Sequence, residues 1–223
     1  MRRHITRALV VLPLVGFLPS VASAGPQLLC FPMVIDGARS LPWGSGSWNS
    51  PQPGYDLTRL SGDTAALLGA DVPVLVRMET LRRAVIYAAK DGQAANRLFA
   101  ALRARVSTPT AGASAALAQF DLGYAIEAFR QTRHVLPRSD ASGPSDDGYT
   151  LISQALAARG SDPAMQYAAA LVASARSFRG VADEHLRLAS AGAPRGSALA
   201  RTMAAHQPMW GDRLAASPTS ASR

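Results

Sequence analysis

Cysteine, histidine and clustered acids are the side chains that act as nucleophiles, bases or metal ligands, and this chain uses them sparingly. Cys30 is its only cysteine, and His4, His134, His185 and His206 are its only histidines. A Cys–His–Asp nucleophile set can be drawn from Cys30, Asp36 and one of His134, His185 and His206, and a site under the N-terminal segment would join Cys30, Asp36 and Trp43 to His134 or His185. Such a set works only when its members converge within hydrogen-bond reach. No local signature surrounds Cys30. The histidines are dispersed, with no H-x-x-x-H pair, which argues against zinc. No P-loop, Rossmann glycine triplet or G-x-S-x-G elbow is present. Asp140, Asp146 and Asp147 lie close together, but the one-three-five spacing and distal glutamate of an EF-hand are missing. Paired carboxylates for glycoside chemistry would fall to Asp36 and Asp56. No catalytic, metal or cofactor residue is therefore assigned, and no cofactor is expected.

The elements around these groups are set by composition. The chain has 223 residues, enough for one or two domains. Hydrophobic residues make up 48% and charged residues 17%, so a core is expected rather than disorder. Aromatics are only 6% and alanine is abundant, which favours closely packed helices. Arg2, Arg3 and Arg7 precede an apolar run at 8–18, and Ala22-Ser23-Ala24 is an A-x-A cleavage site. Residues 1–24 are thus expected to be a signal peptide, too short in its apolar run to span a bilayer. The mature chain, with no transmembrane span, would be periplasmic or secreted. Cys30 near the signal raises lipidation, but Leu29 is large where a lipoprotein signal carries a small residue. Without residues 1–24, Lys and Arg fall from 23 to 20 against 15 acids, a net of +5. The charge is scattered, so a nucleic-acid partner is not expected, whereas an anionic envelope component fits. A single cysteine leaves no internal disulfide. Cys30 is expected buried, with a reactive thiol or an intermolecular disulfide as alternatives.

Residues 25–55 hold five prolines and five glycines together with Trp43 and Trp48. That density forbids a long helix, and the apolar content forbids a free linker. The segment reads as an extended arm laid over a helical domain at 56–206, followed by a flexible tail at 207–223. Helices are expected at 57–68, from Pro73, at 94–106, 115–136, 149–158, 164–177, 181–190 and 198–206. The helix at 115–136 carries two apolar stripes, so it needs neighbours on both sides. Glu79 stands three and four residues before Arg82 and Arg83, the spacing of an exposed salt link worth a few tenths of a kcal/mol. Ser145 or Asp146 is expected to cap the helix after the polar turn at 137–148.

Within 163–196, Ala182, Leu186, Ala189 and Pro194 fall at the spacing of the second half of a tetratricopeptide repeat, and the unit has that repeat's length of 34 residues. This unit resembles a tetratricopeptide repeat. Its first half departs, with Gln166, Ala169, Ala170 and Ala173 at the positions of the family's aromatic, leucine, glycine and tyrosine. The expected fold is all-α: stacked antiparallel helix pairs in an irregular, tetratricopeptide-like solenoid. The resemblance implies a concave groove for a protein or peptide, lined from the first helix of each pair. Tyr124, Arg130, Gln166 and Arg176 are the expected lining. Cys30, Asp36, Trp43 and Trp48 are the arm's candidates for binding. The functional expectation is an exported binding scaffold of the cell envelope. The alternative is a small envelope enzyme sited where the arm meets the helices.

Overall fold

The computed structural model describes residues 25–108, 112–136, 143–160 and 162–211. The expected signal at 1–24 lies outside them, as do Asp140 and residues 212–223. Among the described residues the chain is all-α and contains no strand, only an isolated bridge between Trp43 and Pro51. The helices are α1 (Leu60–Ala66), α2 (Val74–Ala88), α3 (Gly92–Ser107), α4 (Ala113–Thr132), α5 (Gly148–Arg159), α6 (Pro163–Ala175), α7 (Arg179–Gly192), α8 (Ala198–Ala205) and α9 (Gln207–Trp210). None is long and apolar enough to cross a membrane.

Local chemistry starts and stops these helices. The Asp91 side chain accepts from the Ala94 amide, Asp162 from Ala164 and Met165, and Ser197 from Ala200. Two helix starts differ from the expected ones. Asp56 closes a turn on the Thr58 amide and hydroxyl, and α1 begins only at Leu60. Asp147, not Ser145 or Asp146, caps α5 through the Tyr149 amide.

The helices form two rows. The sequential pairs α2–α3, α4–α5 and α6–α7 pack together, and α2, α4 and α6 also pack on one another. This inner row is buried nearly all round: Leu75, Met78, Leu81 and Ile86 of α2, Phe120 and Ile126 of α4, and Tyr167 and Leu171 of α6 lie in one core. The outer α7 buries a single stripe, Ala182, Leu186 and Ala189. Glycine lets α4 and α5 cross closely. A Cβ on Gly123 would lie 2.6 Å from the Gly148 carbonyl oxygen, and one on Gly148 would lie 2.5 Å from that of Gly123.

Residues 25–59 contain no helix and run across the inner row, with their main chain held by helix side chains. The Leu28 amide donates to Gln131 of α4, the Met33 amide to Glu79 of α2 and the Val34 amide to Thr202 of α8. Leu28, Leu29, Met33 and Leu41 join the same core as the helices. These residues therefore complete the core, and a chain beginning at Cys30 would lose Leu28 and Leu29 from it.

At the other end the body continues past the expected boundary at His206. Trp210 is buried in α9 and donates to the Tyr167 hydroxyl at 3.2 Å. His206 Nε2 lies 3.0 Å from the Pro32 carbonyl, which can only accept, so Nε2 carries the proton. Nδ1 then accepts from the Tyr167 hydroxyl at 2.7 Å. Burial lowers the pKa of His206, outweighing the Pro32 carbonyl and Glu79, which favour the cation. A depressed folded value means that the unfolded chain takes up the proton first. The stability from neutral His206 is thus present above about 6.5 and lost as pH falls through the folded value. Urea midpoints between pH 7 and 5 are expected to fall more steeply in the natural protein than in His206→Gln. Equal slopes would remove His206 as the cause.

Candidate functional site

Two groupings of polar side chains stand out, one buried and one on the surface. The buried one lies on α2 beneath residues 25–55. Glu79 is 1% exposed and accepts from Arg82 Nε and Nη2 at 2.8 Å each, from Arg83 Nε at 2.7 Å and from the Met33 amide at 3.1 Å. Arg82 is 0% exposed and also donates to the carbonyls of Leu29 and Trp48. Arg83 donates to the Leu41 carbonyl. Trp43 lies over both guanidinium groups, 5.1 Å from Arg82 and 5.6 Å from Arg83, and edge-on to Tyr87. Burial opposes ionisation of Glu79, but the hydrogen bonds and charges of Arg82 and Arg83 win and hold it below the usual carboxylate range. The expected exposed salt link is therefore wrong. The cluster is an internal anchor that holds Glu79 as a carboxylate.

The surface grouping surrounds the turn between α6 and α7. Phe178 and Val181 are the exposed large hydrophobic residues among the described ones, each 44% exposed. Arg176 stacks on the Phe178 ring at 5.3 Å. It pairs with Asp147 and, at 3.7 Å, with Glu127, both through Nη1. Glu127 also binds Arg130 at 2.6 Å, and Arg130 donates to the Asp146 carbonyl. Behind Phe178 stands Tyr149, edge-on to it, and the Tyr149 hydroxyl lies 3.0 Å from His185 Nε2. His185 Nδ1 faces Gln166 Oε1 at 2.6 Å, so Nδ1 donates and Nε2 accepts. Burial lowers the His185 pKa against the pull of Glu184, which suits this neutral form. Ser177 holds φ +63° at the turn, a left-handed conformation that costs a non-glycine residue about 1 kcal/mol. The unusual backbone directs the chain into an exposed aromatic.

The structure sorts the expected site residues. Arg130 and Arg176 meet through Glu127. Gln166 reaches the same grouping through His185 and Tyr149, but it is 8% exposed and supports rather than lines the surface. Tyr124 does not line a groove. It is fully buried, stacks on Phe120, and its hydroxyl has no partner. The reason is the two-faced α4, whose neighbours cover both stripes. Trp48 packs against the core and lends its carbonyl to Arg82.

The Cys30–Asp36–histidine set does not assemble among the described residues. Asp36 pairs with Arg201 on the surface, His185 is engaged by Gln166 and Tyr149, His206 by Tyr167 and the Pro32 carbonyl, and His134 is exposed beside Arg133. Cys30 is half-buried, and burial pushes its thiol up despite the charge of Arg82, away from the reactive thiolate. No group of three or more histidine, cysteine or acidic residues among the described ones is placed to hold a metal ion.

No protein-family model, curated protein or solved structure matches the chain.

Phe178 was not singled out by the sequence. A faint signal exists in Arg176-Ser177-Phe178-Arg179-Gly180, a large aromatic between arginines at a helix break, where burial is hardest to arrange.

Proposed function

We propose that the protein is an exported helical scaffold of the cell envelope that holds a protein partner on the surface around Phe178. The observation that carries this reading is the exposed Phe178, stacked under Arg176 and set by the left-handed Ser177. Strained backbone concentrates at functional sites, and aromatic–arginine pairs are the usual energetic centres of interfaces. The partner is a segment with an apolar side chain for Phe178 and Val181 beside an acidic group for Arg176. Packed pairs such as α6–α7, which buries Ala182, Leu186 and Ala189, support a tetratricopeptide-like reading of that unit. Export rests on the basic and apolar character of 1–24. A start at Gly25 keeps Leu28 and Leu29 in the core, which supports cleavage after Ala24 over processing before Cys30.

The test is capture of partners by the chain from Gly25 onward from envelope and secreted fractions. It is run beside Phe178→Ser and Arg176→Ala, both at exposed or half-exposed sites. A partner is expected to bind the natural chain and to lose about 30-fold in affinity with Phe178→Ser, the size of a 2 kcal/mol hot spot. Both variants should keep their unfolding midpoints. A partner indifferent to both changes would place the contact elsewhere. Deleting 25–54 is no substitute, because that removes Leu28, Leu29, Met33 and Leu41 from the core.

A further inference from the structure

A second site lies away from that surface, where α1 ends and α4 begins. Leu68, Arg77, Arg105, Ser114, Leu117 and Ala118 line a cleft of about 270 Å3. Its charge is unbalanced. Arg77 and Arg105 share one carboxylate, Asp121, at 2.6 and 3.5 Å, and neither pairs with another among the described residues. Arg77 is consumed: Nε donates to the Val72 carbonyl, Nη1 to Asp121, and Nη2 to Leu68 and Gly69. Arg105 is not. Its Nη2 donates to the Leu68 carbonyl at 2.7 Å, but its Nε is buried with no acceptor. A buried donor left unmatched is costly, whereas the rest of the Arg105 side chain, 30% exposed, lines the cleft and presents its charge there.

The remaining features select a ligand class. The first turns of the 20-residue α4 supply Ser114, Leu117 and Ala118 to the cleft, and that helix start has no side-chain cap, so its dipole adds positive potential. Leu68, Leu117 and Ala118 make the walls apolar. The volume holds roughly nine groups of water size at ~30 Å3 each. Inorganic phosphate would match the charge and waste the walls.

We propose that this cleft binds a small organic monocarboxylate, with the carboxylate on Arg105 and a short apolar body against Leu68, Leu117 and Ala118. Hexanoate and benzoate have the right size and serve as probes. They are titrated calorimetrically into the whole protein at pH 7, with acetate and phosphate at matched ionic strength.

Hexanoate or benzoate is expected to bind at least tenfold tighter than acetate or phosphate. Arg105→Met should weaken binding at least tenfold. Ser114→Trp, at an exposed position, should block the cleft without moving the unfolding midpoint. Phe178→Ser should leave binding unchanged, which separates this site from the partner surface. Absence of binding by either acid overturns the proposal. So does binding that survives both Arg105→Met and Ser114→Trp, or phosphate binding as tightly as hexanoate.

Discussion

Replacing Glu79 by alanine is expected to cost about 3–5 kcal/mol, the range for breaking a buried ion pair from one side. That is a large part of the 5–15 kcal/mol that holds a typical domain together. The change leaves Arg82 charged, fully buried and without its carboxylate, because arginine cannot neutralise itself by losing a proton. The Met33 amide loses its acceptor as well, so residues 25–41 loosen from α2. Urea denaturation followed by circular dichroism and by tryptophan fluorescence reads the effect, since Trp43 covers the cluster. The double variant Glu79→Leu/Arg82→Met should recover much of the loss, because two matched apolar residues leave no stranded charge. A loss below about 1 kcal/mol in Glu79→Ala would place the pair in the solvated regime of surface salt links. The pH behaviour has a definite sign. Glu79 titrates below its unfolded value, so its contribution is complete above the ordinary glutamate pKa and is lost as pH falls through the folded value.

Gly123→Val is expected to be the next most damaging change. The Cβ would meet the Gly148 carbonyl oxygen at 2.6 Å, the Leu151 Cβ at 3.0 Å and the Ile152 side chain at 3.1 Å. The first two are backbone or fixed to it and cannot turn aside, so α4 and α5 must separate. Overpacking of this kind costs roughly 1–3 kcal/mol, and a forced helix shift lies at the upper end. Gly62→Ala is the control, since nothing lies within 4 Å of that position and its φ is ordinary. It should be neutral or slightly stabilising, as alanine is the better helix former. Thermal unfolding of both variants against the natural protein decides the matter. A Gly123→Val protein with an unchanged midpoint would show that the two helices are not in register at this point.

Asp121 illustrates why burial and pairing must be weighed together. It is fully buried, and desolvation pushes it up to about 6 against the opposing charges and hydrogen bonds of Arg77 and Arg105. Its sign is the reverse of that for Glu79: its contribution is full below the unfolded value and declines as pH rises through about 6. The difference follows from geometry. Glu79 has both oxygens engaged by arginine, whereas Asp121 Oδ1 is buried with no partner.

Residue by residue, the chain announces its helices through punctuation that works locally. Asp91, Asp162 and Ser197 cap helices because an oxygen two or three residues ahead of an unpaired amide needs no tertiary help. The two stripes of α4 announce a buried helix for the same local reason. The fate of α2 was also legible, though the salt-link reading of Glu79 passed over it. Val74, Leu75, Val76, Met78, Leu81, Val85 and Ile86 cover every face of that helix, so its charges could not all reach water. Other features depended on contacts between distant residues. Tyr167, His206, Trp210 and Pro32 form one network across 178 positions of sequence, and no spacing rule joins them. Local spacing along the chain determined the all-α class and most helix limits. Tertiary structure alone decided that Glu79 and Arg82 are internal, that Tyr124 is hidden, that Phe178 is exposed, and that Arg105 lines a cleft. The physical reason is that capping and periodicity act within a turn or two of helix, whereas desolvation depends on which distant segments cover a side chain.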